Sequence, residues 1–336
     1  MNITHYFRKP INSFHFSIER LFNDIEHSIA DETNFHFDRK TVPHHCASEG
    51  AISKNIRWAS KQTDEINHIT GDIHYLALGL PGKNTILTIH DINFIKRRHP
   101  GYLLKYYSLW LLLPILRVKA VTVVSEETRK DVVKRVPFLA KKIRVIPNFY
   151  DPRYQPYPKP FNKQKPVLLQ IGTRSNKNIE NLIEAIAPLN CKLVIVGKQE
   201  AHLRALLTEK GIDYTWKEGL SDEEVLDEYR QCDITCFVST VEGFGMPILE
   251  SQAVGRAVVT STTSSMPEVA GDAAVLVNPY DPASIRQGIE SIIINDELRE
   301  QLITNGFANI KRYELSHISA MYKALYEEVY QTANRA

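Results

Sequence analysis

Two glutamates, Glu242 and Glu250, stand with seven residues between them in Val241-Glu242-Gly243-Phe244-Gly245-Met246-Pro247-Ile248-Leu249-Glu250. Carboxylates accept hydrogen bonds from hydroxyl groups and repel a diphosphate, so the pair suits the hydroxyls of a ribose or a sugar. The residues between them suit phosphate. Gly243 and Gly245 let the backbone approach a ligand closely, with Phe244 either packing the loop or facing the ligand. Pro247 fits the first turn of a helix, whose unpaired amides and positive dipole end attract anions. A second anion site is readable in Gly172-Thr173-Arg174-Ser175-Asn176-Lys177-Asn178, where a guanidinium can grip phosphate with two arms and an ammonium adds a point charge. The third constellation is His90-Asp91. Its histidine can hydrogen-bond a sugar hydroxyl; an aspartate capping its own loop beside a histidine is the structural alternative.

These groups do chemistry only if strands and turns deliver them to one place. Open α/β sheets bind ligands beyond the carboxyl ends of their strands. The apolar, β-branched run 234–238 reads as a buried parallel strand before the glutamate loop, Gly255 as the stop of the helix after it, and a further strand begins near Ala257. The strand 166–171 precedes Gly172, and a helix over 179–187 follows. Residues 72–78 and 85–90 read as successive strands, the second ending in His90-Asp91. At the start, a strand over 2–6, a loop from Arg8 through Asn12 and Ser13, and an amphipathic helix over 17–29 form a doubly wound opening. Further strands are expected at 120–124, 141–146, 192–197 and 214–219. Ser125 reads as an N-cap and Ser221-Asp222-Glu223-Glu224 as a capping box. Four prolines within 151–165 disfavour helix and central strand alike and mark a linker. Apolar residues at helical spacing over 315–329 give a terminal helix.

Glu242 to Glu250 resembles, residue for residue, the E-G-F-G-x-P-x-x-E loop of the retaining family-4 nucleotide-sugar glycosyltransferases. That resemblance implies a GT-B fold, with two Rossmann-like doubly wound domains facing across a cleft and a C-terminal helix crossing back to the first. It implies an acceptor-side domain over 1–150, the linker over 151–165, a nucleotide-sugar domain over 166–312 and the terminal helix over 313–336. By the same resemblance Glu242 and the amides of Gly243, Phe244, Gly245, Met246 and Pro247 hold the donor sugar, Glu250 holds the ribose, and Gly172, Arg174 and Lys177 bind the diphosphate. Gly219 and Leu220 lie near the base, and His90 beside the sugar. Arg8, Asn12, Ser13 and Asp91 face the acceptor, although the first loop lacks the glycines the family often carries there.

The implied reaction is sugar transfer with retention, from a nucleotide sugar to a glycan, lipid-linked or small-molecule acceptor, with no cofactor and no metal. Same-face attack through an oxocarbenium-like state, with Glu242 and His90 as stabilisers, is the expected mechanism. An epimerase of the same architecture and a catalytically silent nucleotide-sugar-binding subunit are the alternatives.

With 336 residues, the chain exceeds one ordinary core, and 43% apolar content is ample for two. A net charge of +2 without a basic tract argues against nucleic acid. Four cysteines, Cys46, Cys191, Cys232 and Cys236, fit a reducing compartment, and the last two read as core. His36, His44, His45 and Cys46 match no zinc spacing and read as loop residues. Residues 1–16 lack an apolar signal core, so a cytoplasmic location is expected. The apolar stretch 102–118 is too short to span a bilayer. It reads as a buried helix or, alternatively, as a peripheral contact with the inner membrane face through Leu103, Leu104, Tyr107, Leu111, Lys105, Arg117 and Lys119.

Overall fold

The computed structural model describes residues 1–9, 17–31, 33–45, 50–93, 104 and 106–335. It divides into two compact units: Met1–Phe149 together with Leu315–Ala336, and Tyr150–Glu314. The first unit is built on six parallel strands: β1 (Asn2–Phe7), β2 (His36–Thr41), β3 (Ile66–Ile69), β4 (Thr85–Ile89), β5 (Ala120–Val123) and β6 (Ile143–Val145). Their order is β2-β1-β3-β4-β5-β6. The chain leaves β1 for one side and returns to β3 on the other, so the crevice where ligands enter such sheets lies between the carboxyl ends of β1 and β3.

The terminal helix Leu315–Asn334 belongs to this first unit and lies against the helix Ser17–Ala30. Ile318, Tyr322, Leu325, Tyr326 and Val329 recur at helical spacing and pack with Phe22, Ile25 and Ile29. A polar chain also ties this helix to the sheet. His5 Nδ1 lies 2.6 Å from Glu26 Oε1, His5 Nε2 lies 2.9 Å from the Tyr326 hydroxyl, and that hydroxyl lies 2.8 Å from His68 Nδ1. His68 Nε2 then meets Thr88, which meets Thr122. When His5 donates to Glu26 from Nδ1, Tyr326 donates to His5 and His68 donates to Tyr326, which satisfies every ring nitrogen.

The second unit holds β7 (Val167–Ile171), β8 (Lys192–Val196), β9 (Asp213–Lys217), β10 (Ile234–Phe237), β11 (Ala257–Ser261) and β12 (Val275–Val277). All are parallel, in the order β12-β11-β10-β7-β8-β9. This is the Rossmann order, and its reversal falls between β7 and β10. Leu168, Leu193, Ile195, Ile234 and Val259 form its core with Leu182, Ile183 and Ile289 from the covering helices. Cys191, Cys232 and Cys236 are buried, and burial pushes the Cys191 thiol up to about 11 and the Cys232 thiol to about 12.

Helix ends follow the sequence. The Ser125 hydroxyl accepts from Thr128 N–H, and Ser221 and Glu224 complete a capping box. Gly255, at φ 80°, closes the helix Met246–Val254, with Phe307 only 2.8 Å from where a Cβ would stand.

Three expectations need correction. Residues 72–78 are not a strand: His74–Leu78 is a 3-10 helix, and the strand of this region is β3. Tyr75, Leu76 and Ala77 are buried, and an apolar run buried all round carries no period to separate strand from helical turn. The true strand was masked by Asn67 and His68, whose polar groups are bonded inside the core. Second, His36 is not in a loop but opens β2, a polar edge strand that lacks an apolar face. Third, the stretch 102–118 is not one regular α-helix over its described residues. Tyr107–Leu112 is π-helical, followed by the α-turns of Leu113–Arg117, and Leu111 is fully buried. Tyr107 donates its hydroxyl to the Arg135 carbonyl. Residues 102, 103 and 105 lie outside the described residues, as does Cys46. Among the described residues, no helix is long and apolar enough to cross a membrane.

Residues 151–165 contain no helix or strand but are packed onto the second unit. Tyr154 is edge-on to Tyr229, Tyr157 N–H donates to the Val254 carbonyl, and Lys159 pairs with buried Asp233.

Candidate functional site

In the second unit, the two loops that leave the carboxyl ends of β7 and β10 meet at the point where strand order reverses. Gly172 follows β7 at φ 84°, and a Cβ there would stand 2.9 Å from Lys177 Cε. Glycine suits the left-handed backbone, and a side chain there would have to push the Lys177 side chain aside. The 3-10 turn Ser175–Lys177 follows, and Asn178 enters the next helix at φ 59°. Asparagine tolerates that conformation, and here its amide donates to the carbonyls of Val238 and Pro279 at 3.0 and 2.6 Å.

Asn176 and Lys177 join this loop to the one after β10. The Asn176 amide donates to the Val241 carbonyl at 3.0 Å and to Glu242 Oε1 at 2.9 Å, while its own carbonyl accepts from Thr240 N–H. Lys177 Nζ donates to the same Glu242 Oε1 at 2.7 Å and sits 4.4 Å above the centre of the Phe237 ring. Both donors fall on one carboxylate oxygen, so Oε2 is the oxygen left to accept from a hydroxyl. From the other side Ser264 brackets Glu242: its hydroxyl donates to the Glu242 carbonyl and accepts from the Glu242 N–H. Ser265 donates to the Phe244 carbonyl at 2.6 Å.

Phe244 packs the loop, buried against the edge of Tyr313 with ring centres 5.6 Å apart. Gly245 at φ 122° then starts the helix Met246–Val254, without a side-chain cap. That helix end offers backbone amides and positive dipole beside the Lys177 ammonium. Pro247 occupies its first turn and Met246 is half-buried.

Glu250 is bound elsewhere. Tyr229, buried in the helix Asp222–Gln231, donates its hydroxyl to Glu250 Oε2 at 2.6 Å. Burial and then the Glu250 carboxylate hold that phenol well above its ordinary value, so it remains a donor. Arg174 is exposed on the β7 loop. Gly219, at φ 73°, and Leu220 follow β9, two strands from the reversal. Two buried oxygens near these strand ends, Gln170 Oε1 and Ser239 Oγ, have no hydrogen-bond partner.

In the first unit, His90 follows β4 and donates from Nε2 to the Thr70 carbonyl at 2.8 Å. This fixes the neutral tautomer and leaves Nδ1 as an acceptor. Burial lowers its pKa below the usual histidine value, opposed by the Thr70 bond and by the Asp91 and Asp72 carboxylates. Asp91 accepts from Asn93 N–H at 2.7 Å, the loop-capping arrangement. Arg8, at the end of β1, reaches Asp72, beyond β3, at 3.4 Å, so this ion pair stands over the sheet's switch point. Asn12 and Ser13 lie outside the described residues.

Sequence reasoning missed Asn176, which holds Glu242 together with Lys177, and Tyr229, which holds Glu250. Asn176 was legible as the amide between Arg174 and Lys177; Tyr229 had no local signal, because its partner is 21 residues away. Among the described residues, no group of three or more His, Cys, Asp or Glu side chains is gathered closely enough to hold a metal ion.

Comparison with known proteins gives a consistent answer. The family model described as "Glycosyl transferases group 1" matches residues 155–308, and "Glycosyltransferase Family 4" matches 23–154. The O-antigen chain mannosyltransferase B of Escherichia coli is 27% identical over 254 residues, covering 69% of this chain and 67% of that protein. Of further curated mannosyltransferases the chain spans 40% of the length or less. Among solved structures, sucrose-phosphate synthase of Thermosynechococcus elongatus superposes with a TM-score of 0.78 at 15% identity, covering 98% of this chain and 99% of that one. Anabaena HepE, in complex with UDP and glucose, gives 0.76 at 16% identity over 98% and 100%. Both share the fold.

Proposed function

Because the chain belongs to the group 1, family 4 glycosyltransferases, we propose that it transfers a hexose, with retention, from a nucleoside diphosphate sugar to a glycan or lipid-linked acceptor. The observation that carries this reading is the Glu242 carboxylate at the switch point of the second unit, gripped through one oxygen by Lys177 and Asn176 beside a helix start. A diphosphate approaching that helix start meets the Lys177 ammonium and the exposed Arg174 guanidinium, which take its charge in place of a metal. Glu242 Oε2 accepts a hydroxyl of the sugar, and Glu250, oriented by Tyr229, accepts the ribose hydroxyls. On the first unit, neutral His90 offers Nδ1 to a further sugar hydroxyl.

In the transfer, the bond from the anomeric carbon to the diphosphate oxygen breaks and a bond to the acceptor oxygen forms on the same face. The acceptor's proton leaves with the diphosphate. Stabilising that departing charge is the main electrostatic task. The mannosyltransferases among the relatives make mannose the first donor sugar to try, and HepE's complex with UDP makes uridine the first base.

A thermal-shift panel with UDP, GDP, ADP and their sugars tests the reading, since a ligand that binds only the folded chain raises its stability by mass action. One nucleotide is expected to raise Tm, and Lys177→Ala and Glu250→Ala are expected to abolish the rise. A shift that both variants retain would remove the donor site from these loops.

A further inference from the structure

The helix Ala51–Ala59 of the first unit buries one stripe, Ala51, Asn55 and Ala59. The opposite stripe carries Lys54, Arg57 and Trp58, and Lys61 continues it past the helix end, a helical spacing that places the four on one side. A cavity of about 440 Å³ is lined by these residues and Ser53. Lys61 stands shortly before β3 begins, so this face lies toward the amino ends of the strands, away from His90.

The indole in this cavity is held in place. Trp58 is half-buried, edge-on to Tyr6 with ring centres 6.2 Å apart, and its carbonyl accepts from Lys61 N–H at 3.1 Å. Tyr6 is itself tied through its hydroxyl to the Gln62 carbonyl and to Asn67. The cations beside the indole are uncompensated. Among the described residues the side chains of Lys54, Arg57 and Lys61 make no hydrogen bond or ion pair, and no carboxylate lines the cavity.

At about 1.5 Å per helical residue, the stretch from Lys54 to Lys61 covers about 10 Å. A single phosphate meets only part of that length and leaves the indole unused. A bilayer finds little to take up, because Ile52 and Ile56 pack against the core and no leucine, isoleucine or phenylalanine of 51–61 is exposed. A chain of sugars uses the whole stripe: the C–H face of one ring lies on the indole, and anionic groups on its neighbours meet the guanidinium and the ammoniums.

We propose that this face binds an acidic glycan, a sugar chain bearing carboxylate or phosphate, with one ring on Trp58 and its anions on Lys54, Arg57 and Lys61. The inference does not depend on the transferase reading.

The test is binding of the full chain to phosphomannan and to oligogalacturonate, with unphosphorylated mannan as the neutral control. Charge-assisted hydrogen bonds are worth about tenfold in affinity or more, so an acidic glycan is expected to bind at least that much more tightly than mannan. Binding to one of the two alone would identify the anion. Lys54→Ala with Lys61→Ala, both exposed and safe for folding, is expected to weaken binding by about tenfold. Trp58→Ala is expected to weaken it as well, and Trp58→Phe, which keeps a ring against Tyr6, to retain most of it. Lys119→Ala with Lys141→Ala, on another basic face of the unit, is expected to change nothing. Mannan bound as tightly as the acidic glycans, no binding to either of them, or native binding by the lysine pair would overturn the proposal. So would polyglutamate, single-stranded DNA or phosphatidylglycerol vesicles bound more tightly than both glycans, or native binding by Trp58→Ala, since charge alone would then account for the attraction.

Discussion

The Glu242 carboxylate is held by two side chains, Asn176 and Lys177, and Glu250 by a third, Tyr229. Glu242→Ala removes the acceptor proposed for the sugar and strands Lys177 and Asn176; turnover is expected to be lost. Asn176→Ala keeps the carboxylate and the ammonium but removes one of the two donors on Oε1 and the bond to Val241. A hydrogen bond to a charged group is worth about 1.5–3 kcal/mol, so kcat is expected to fall by one to two orders of magnitude while nucleotide binding, read by thermal shift, changes little. Tyr229→Phe acts on the other glutamate. It takes a single donor from Glu250 and leaves the ring against Tyr154, so the KM for the donor is expected to rise by about tenfold with kcat nearly constant. An equal fall in kcat would move Glu250 from ribose binding to the reacting sugar.

At the scale of elements, the loop after β7 is the part of the donor site with least freedom. Gly172→Ala places a methyl group 2.9 Å from Lys177 Cε in a backbone conformation that L residues avoid, and is expected to cost about 1–3 kcal/mol in a urea melt while weakening the nucleotide-induced rise in Tm. Ser221→Ala, which removes only a capping box, is expected to cost about 1 kcal/mol and leave that rise intact. The contrast separates strain in the site from loss of helix stability. The elements around this loop were legible in the chain because each carried a local signal: β-branched runs for β7 and β10, Pro247 and Gly255 for the helix between β10 and β11, and Ser221 for its neighbour. Those of the first unit were less so. β3 contains Asn67 and His68, whose polarity makes sense only once Tyr6, Tyr326 and Thr88 have folded around them. β2 is an edge strand with no apolar face, and the buried turn His74–Leu78 has apolar residues on every side. In each case the information lies in contacts distant in sequence.

At the scale of the whole molecule, three histidines couple folding to pH in one direction. His68, His74 and His90 are held below their unfolded value of 6.5, in each case chiefly by burial; the imidazoles of His5 and His90 add to it at His68. Below about pH 6.5 the unfolded chain therefore takes up protons that the native one refuses, and stability must fall with falling pH, by about 1.4 kcal/mol per pH unit for each proton in the difference. The sign is fixed: these groups give no loss above pH 6.5. Thermal melts from about pH 7 to about pH 5 are expected to show a steepening decline, and His90→Gln to make it shallower. These three histidines all lie in the first unit, and His68 shares the Tyr326 hydroxyl with His5. If the two units unfold in separate transitions, calorimetry should show the pH-dependent one to be that of the unit carrying the terminal helix. Tyr326→Phe should lower that same transition, by about 1–3 kcal/mol, because it leaves a buried imidazole nitrogen on each of His5 and His68 without its partner. A Tyr326→Phe variant whose loss fell on the other transition would mean that the terminal helix is not held to the first sheet by this polar chain.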